Sequence, residues 1–268
     1  MRRPDPLALP GSPVHLPCSQ SLRQGASRLD ARNLSLSIVI PVLNEAAGFE
    51  ERLLALAPLR QSGVEVVVVD GGSEDSTAAL AHDKCDRLLV APRGRASQMN
   101  AGAAAARGDV LLFLHADTRL PDGALQEIAQ GLKTTGRVWG RFDVAIEGQS
   151  RLLPLIAAMM NLRSRLTGVA TGDQAIFARK SAFDQAGGFP AIALMEDIAL
   201  SRALKRQSKP LCLRAKVRTA GRRWDERGAL RTIVLMWRLR LAYFLGADPA
   251  RLAVRYGYRP ASEKAEAP

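Results

Sequence analysis

Apolar residues in this chain gather first in short unbroken runs and only later in longer, interrupted stretches. Residues 36–41, 64–69 and 110–114 contain almost no polar side chain. Runs of five or six such residues predict strands buried on both faces. Residues 87–91 form a further short run of this kind. Helix-spaced segments lie between and after them, at 46–56, 95–106 and 122–134. Strands alternating with helices at short spacing predict βαβ units and a parallel sheet. Right-handed crossovers then bring the carboxyl ends of those strands to one edge, where ligands of open α/β sheets bind.

The pattern changes after residue 136. Residues 138–146 alternate in part, which predicts an antiparallel or edge strand. Residues 151–166 read as a helix that is apolar in the middle and basic at both ends. A short strand is predicted at 174–178. A short helix at 181–186 follows, stopped by Gly187, Gly188, Phe189 and Pro190. Met195, Glu196 and Asp197 open a helix running to about residue 206, residues 221–224 read as a loop, and two more helices are expected at 229–245 and 249–256. The first 34 residues, broken by Pro4, Pro6, Pro10, Pro13 and Pro17, show no sustained period and predict a disordered leader. The same prolines interrupt any apolar core of a secretory signal. The expected division is a leader at 1–34, a folded domain at 35–225, and a basic amphipathic helical extension with its tail at 226–268.

Composition narrows the class. The chain has 268 residues, of which 47% are hydrophobic, enough for a sizeable core and against global disorder. No apolar run approaches the roughly 18 residues of a membrane span. Cys18, Cys85 and Cys212 are far apart, which excludes a zinc ribbon or disulfide framework and fits a reducing cytoplasm. The net charge of +12 is localised: residues 201–260 carry sixteen Lys or Arg against three Asp or Glu. No nucleic-acid-binding motif or aromatic stacking platform accompanies it. An anionic membrane surface or a diphosphate substrate accounts for such a basic end equally well.

The candidate chemistry is acidic. Asp117 stands just past the carboxyl end of the 110–114 strand, Glu45 and Asp70 follow two others, and Glu196 and Asp197 open a later helix. Each alone fits a helix cap or a solvated acid, but three on one sheet edge, with a fourth acidic pair, point to a shared site. The sequences carrying them are Ser37-Ile-Val-Ile-Pro-Val-Leu-Asn-Glu45, Val66-Val-Val-Val-Asp-Gly-Gly-Ser-Glu-Asp-Ser-Thr77, Asn100-Ala-Gly102, Phe113-Leu-His-Ala-Asp-Thr118, Gly187-Gly-Phe189 and Glu196-Asp197. In this order and spacing, over about residues 36–225, the chain resembles the family 2 glycosyltransferases.

The resemblance implies a Rossmann-like α/β fold, the A-type glycosyltransferase fold, with a mostly parallel central sheet flanked by helices and a C-terminal helical extension. It implies that the 35–225 domain is catalytic and uses a nucleotide-diphospho-sugar donor. Glu45 and Asp70 match the acids that hold base and ribose. Asp117 matches the last residue of the family's Asp-x-Asp motif and is the expected ligand of Mg2+ or Mn2+. Asp197 matches the catalytic base, with Glu196 its partner. Arg95, at a glycine-led helix start, and Asn100 are expected near the nucleotide, and Arg222 or Arg223 at the diphosphate, with Arg223 the chosen candidate. The first position of the Asp-x-Asp motif is His115, expected to ligate metal, to bond to ribose or phosphate, or to be a structural histidine satisfied within the protein. The acceptor is expected to be small or lipid-like, offering a hydroxyl or carboxylate, and the outcome to be inversion.

The helix at 229–245 can either pack into the core with a solvated basic face or lie on an anionic membrane as a peripheral contact. The protein is accordingly expected in the cytoplasm, with the membrane's inner face as a further location. Two alternatives remain: a nucleotidyltransferase, although residues 41–45 lack its glycine- and lysine-rich loop, and a catalytically inactive membrane-associated scaffold on the same fold.

Overall fold

The apolar runs become the centre of one sheet. The computed structural model describes residues 14–16 and 34–258. Its strands are β1 (Val14–Leu16), β2 (Leu36–Val42), β3 (Glu65–Asp70), β4 (Arg87–Val90), β5 (Val110–Phe113), β6 (Thr118–Arg119), β7 (Trp139–Glu147), β8 (Phe177–Arg179) and β9 (Leu211–Ala220). They lie in the order β1-β4-β3-β2-β5-β8-β7-β9-β6. The block β4-β3-β2-β5 is parallel throughout, so its carboxyl ends share one edge, as the βαβ pattern predicts. Beyond β5 the sheet is mixed. β8 runs antiparallel to both β5 and β7, β7 is parallel to β9, and β6 is antiparallel to β9.

Helices cover both faces: α1 (Ala46–Ala55), α2 (Ala57–Gln61), α3 (Thr77–Ala81), α4 (Arg95–Ala105), α5 (Ala124–Thr135), α6 (Leu153–Thr167), α7 (Lys180–Gln185), α8 (Glu196–Leu204), α9 (Arg222–Arg227), α10 (Ala229–Phe244) and α11 (Pro249–Tyr256). Strand alternation divides the core in two. Ile38, Ile40, Val66, Val68 and Leu112 pack with Phe49 and Leu53 of α1 and Ile128 and Leu132 of α5. Val39, Val67, Val69, Leu111 and Phe113 pack with Met99 of α4, Phe183 of α7 and Leu200 of α8. Each large side chain so buried contributes about 1.5–3 kcal/mol. Helix α4 sits close on the sheet because residue 102 is glycine: a Cβ there would lie 2.4 Å from Val39 Cγ1.

Four sequence expectations change. Val14–Leu16 pair antiparallel with β4, so the segment read as a disordered leader contributes a short edge strand; its remaining residues, 1–13 and 17–33, lie outside the described ones. β7 meets the antiparallel expectation against β8, but it is not an edge strand, since β9 and β6 lie beyond it. β9 was not foreseen, although Leu211, Leu213, Val217 and Thr219 are buried and alternate with half-exposed or exposed residues. Arg222–Arg227 is a short helix, α9, rather than a loop.

A buried ion pair fastens α6 to β7. Arg141 is wholly buried. It donates to the Asp143 carboxylate, to Ser164 Oγ at 3.0 Å and to the Asn161 carbonyl at 3.2 Å. Arg165 reaches the other Asp143 oxygen at 2.6 Å. The Asn161 amide holds both the N–H and the carbonyl of Val144. The C-terminal extension then packs onto this assembly. Ala229 and Ile233 of α10 meet Leu153, Ile156 and Met160 of α6, while Leu239 of α10 and Leu252 of α11 meet Met195 and Ile198 beside the acidic pair. The outward faces stay apolar: Leu155, Met159, Leu162 and Leu166 on α6, and Leu230, Val234, Trp237, Leu241 and Phe244 on α10, are exposed. No described helix is long and apolar enough to cross a membrane.

Replacing Asp143 by alanine strands the Arg141 charge inside the fold, and should cost about 3–5 kcal/mol. Urea denaturation checks this. An unchanged midpoint would mean that Ser164 and Asn161 alone satisfy the guanidinium.

Candidate active site

Two loops at the carboxyl edge are laced together before any ligand arrives. Val42 and Asp70 are register partners at the ends of β2 and β3. Gln98, buried on α4, donates its amide N–H groups to the carbonyls of Val42 (2.7 Å) and Val69 (2.9 Å). Asn44, in a left-handed conformation, donates its N–H to Ser73 Oγ at 2.9 Å and accepts from the Glu74 N–H at 2.8 Å. The Glu45 N–H donates to Thr77 Oγ1 at 2.8 Å and the Ala46 N–H to Asp75 at 3.2 Å. Asp70 is buried and accepts from the N–H groups of Gly72 and Ser73 and from the Ser73 hydroxyl. Its first task is therefore to shape its own turn.

Asp117 follows β5 in a tight turn closed by the Thr118 N–H to the His115 carbonyl at 3.0 Å. Its carboxylate accepts from the hydroxyls of Thr118 and Thr219, both at 3.3 Å, so β9 helps to aim it. Arg222, at the start of α9, bonds to Glu45 at 2.9 Å and comes within 3.9 Å of the second Asp117 oxygen. Asp117 thus stands apart from other acidic or imidazole ligands: no group of three or more that could hold a metal exists among the described residues. A single carboxylate completed by substrate phosphates suits Mg2+ or Mn2+, which keep several waters and are seldom caged by protein alone. The residues fit an ion shared with a diphosphate.

Across the edge, α8 and the 3₁₀ turn Gly172–Gln174 bring the second group together. Asp197 accepts from the Gly172 N–H at 2.9 Å and from the Ile198 N–H at 2.7 Å. His115 turns toward this loop. Its Nδ1 lies 3.4 Å from Asp173, and its Nε2 is buried without a hydrogen-bond partner. A Cβ on residue 172 would fall 2.4 Å from that Nε2, so only glycine lets the imidazole lie against the loop. Glu196, almost fully buried, faces Arg95 at 3.8 Å. Burial and the neighbouring Asp197 charge push its carboxyl up to about 6, against the opposing pull of Arg95. Asn44, Ala175 and Met195, the described non-glycine residues with positive φ, all lie in these loops; strain of this kind collects at functional sites.

The geometry corrects three assignments. Asn100 does not face a nucleotide: its amide is spent on both the N–H and the carbonyl of Phe189, clamping the Gly187-Gly188-Phe189 turn to α4. Arg223 turns to the extension, donating to the Tyr256 carbonyl and stacking 3.9 Å over the Tyr256 ring; Arg222 reaches the acids instead. His115 is directed at Asp173 and Gly172 rather than at a metal ligand set. Arg95 bridges toward Glu196. Sequence reasoning did not anticipate Thr219, whose strand it overlooked, or Tyr256, which stacks on the arginine next to Arg222. The alternation of 211–219 carried the signal for the first. Nothing local marked the second.

The sequence profile described as Glycosyl transferase family 2 matches residues 37–185, more than half of the chain. The chain belongs to this family. Dolichyl-phosphate beta-glucosyltransferase of Drosophila melanogaster is 32% identical over 142 residues, 46% of this chain and 43% of that protein. The matches span 31–52% of the length of the first curated relatives. The fold is similar to that of Staphylococcus aureus TarS 1–349, solved with UDP-GlcNAc, at a TM-score of 0.57 and 19% identity, covering 70% of this chain and 58% of that one. It is also similar to glucosyl-3-phosphoglycerate synthase of Mycobacterium tuberculosis, solved with Mn2+, UDP and glucosyl-3-phosphoglycerate. There the TM-score is 0.53 and the identity 21%, over 85% of this chain and 82% of that one. The likeness in fold agrees with the mixed sheet flanked by helices.

The raised Glu196 carboxyl makes a signed prediction. The folded state holds this proton more tightly than the unfolded chain, so stability falls as pH rises from 4.5 through about 6. Glu196→Gln removes that loss. It should stabilise the protein at pH 7 by about 2 kcal/mol and have no such effect below pH 4.5. Denaturation of both proteins at the two pH values measures it; an equal difference at both would mean that Glu196 does not titrate in this window.

Proposed function

We propose that this protein is an inverting, metal-dependent glycosyltransferase, moving a sugar from a nucleotide-diphospho-sugar to a hydroxyl or carboxylate of an amphiphilic, lipid-like acceptor. The decisive observation is the Arg222 bridge between Glu45 and Asp117. It joins an acid suited to base or ribose, an acid suited to metal, and a guanidinium whose fork matches phosphate oxygens. The UDP and Mn2+ of the similar mycobacterial synthase structure support a donor and metal of this kind.

Asp117 would hold Mg2+ or Mn2+ together with the donor, and the ion, when bound, would supply positive charge against a departing diphosphate. Glu45 accepts hydrogen bonds from the nucleotide's ribose or base. Arg222 leaves its carboxylate partners to meet the diphosphate oxygens. Asp197, held by two backbone N–H groups and more accessible than Glu196, takes the proton of an acceptor hydroxyl. The acceptor oxygen bonds to the anomeric carbon as the bond to the diphosphate oxygen breaks. Attack opposite the leaving group inverts that carbon. Glu196, buried and slow to ionise, holds Arg95 and the start of α8.

Asp117→Asn should lower transfer by about a thousandfold, the several kcal/mol that a metal contributes to such charge, with the thermal unfolding midpoint kept. Asp197→Asn should lower kcat by about 10²–10⁴ and leave nucleotide affinity unchanged. Manganese-dependent turnover of a panel of nucleotide sugars, with products identified by mass spectrometry, tests both. Undiminished turnover by Asp117→Asn would sink the proposal.

The lipid-like acceptor and a peripheral membrane position rest on the outward faces of α6 and α10. Their exposed apolar residues recur at helical spacing, and Arg231 and Arg238 flank Trp237 on α10. A groove of about 670 Å³ between α10 and α11 adds Arg255 to that basic rim. Such a surface suits an anionic membrane. Co-sedimentation with vesicles containing about a third anionic lipid, in the mixed surface-charge regime of cytoplasmic leaflets, should retain the protein at low salt. Replacing both Trp237 and Leu241 by serine should release it. Equal retention of the two proteins would remove this part of the proposal.

A further inference from the structure

Among the described residues, two arginines near the acidic pair have buried N–H groups without a hydrogen-bond partner. Arg163 on α6 has Nε and Nη2 buried without a hydrogen-bond partner, and Arg240 on α10 has Nε in the same condition. Other inward arginines are matched: Arg141 by Asp143, Ser164 and Asn161, and Arg60 by Asp86 and the Cys85 carbonyl. Buried donors left open are rare, and open cations rarer still. Each such group calls for an explanation.

Helical spacing puts the two on one line. α6 meets α10 through Ile156 and Met160 on one side and Ala229 and Ile233 on the other. Arg163 comes three residues after Met160, and Arg240 seven after Ile233, so each continues its helix's contact stripe. The two charges feel each other. Burial first, and then Arg240, pull the Arg163 guanidinium down to about 10, while Asp197 opposes them. Two half-buried guanidinium groups whose inward N–H donors lack partners are well suited to an anion between them. Asp197 acts on Arg163 from a distance but forms no ion pair with it among the described residues. The same two helices carry the apolar outer stripes.

We infer that Arg163 and Arg240 form a subsite for an anionic group, a phosphate or a carboxylate, carried by the acceptor and held beside Asp197. The word acceptor rests on the glycosyltransferase proposal; the anion site does not. A water-soluble phosphate ester and a lipid headgroup offer the same chemistry, and the experiment separates them.

The full chain, saturated with UDP or GDP and Mn2+ so that the donor's phosphate position is filled, is titrated calorimetrically with inorganic phosphate and with decyl phosphate. Both should bind. Arg163→Gln and Arg240→Gln should each weaken them roughly tenfold, the scale of a lost charge-assisted hydrogen bond. The affinity for the nucleotide itself should change less than about twofold, since neither side chain takes part in the Glu45–Arg222–Asp117 bridge. Decyl phosphate binding well above inorganic phosphate identifies a lipid source; equal binding identifies a soluble one. Because no protein partner is lost, both variants should melt at or above the wild-type temperature. Absence of phosphate binding to the wild type, or variants that bind as tightly as it does, would overturn the inference. So would a marked fall in melting temperature, which assigns the arginines a structural role. If UDP and GDP fail to bind while phosphate binding still depends on the two arginines, the glycosyltransferase proposal falls and the anion site stands.

Discussion

Everything at the carboxyl edge depends on the hydrogen bonds that lock the ends of β2 and β3 to each other. The Val42 carbonyl accepts the Gly71 N–H from the end of β3, and the Gln98 amide donates to both that carbonyl and the Val69 carbonyl. With those ends fixed, Asn44, Asp70 and Asp75 stitch the following loops into one layer. Glu45 is the acid of this layer that turns outward, toward Arg222. A rigid floor of this kind costs a ligand little ordering when it arrives.

The second half of the cleft is built differently. It has no pair of parallel strand ends to rely on, and so it uses side chains. Asp197 reaches from α8 to the Gly172 N–H, His115 reaches from the β5 turn to Asp173, and Arg95 reaches from α4 to Glu196. The His115 and Arg95 contacts join elements of the parallel block to this second group, and the Asp197 contact ties α8 to the 3₁₀ turn within it. Cations stand beside several of these acids: Arg222 beside Glu45 and Asp117, and Arg95 beside Glu196. The repulsion between Glu196 and Asp197 still contributes to the raised Glu196 carboxyl. The Arg141–Asp143–Arg165 network keeps α6 on the sheet. In doing so it fixes the helix that presents Arg163.

The C-terminal helices finish the site instead of merely trailing from it. Leu239 and Leu252 pack against Met195 and Ile198, which flank the acidic pair in sequence. Tyr256 holds Arg223 and so sets the start of α9, from which Arg222 extends. Basic and apolar features that look like a separate surface in the sequence are therefore connected mechanically to the chemistry. An acceptor that touched α10 would be touching the wall of the cleft.

The sequence by itself determined the parallel block, its edge and the identity of the acids there. Buried β-strands of four to seven apolar residues leave few alternatives, and an acid directly after such a strand can go nowhere but the edge; Asp117, Glu45 and Asp70 were legible for that reason. The Asp197 position was legible too, because a helix start fixes its direction locally. Tertiary structure decided the rest. Whether Arg222 or Arg223 faces the cleft depends on Tyr256, more than thirty residues away. Whether Asn100 meets a ligand or a backbone depends on where Phe189 arrives, and whether His115 turns to Asp117 or to Asp173 depends on the missing Cβ of Gly172. Polar side chains of this kind choose partners among groups brought close only by folding. Their hydrogen bonds, unlike the period of an apolar strand, leave no local pattern to read.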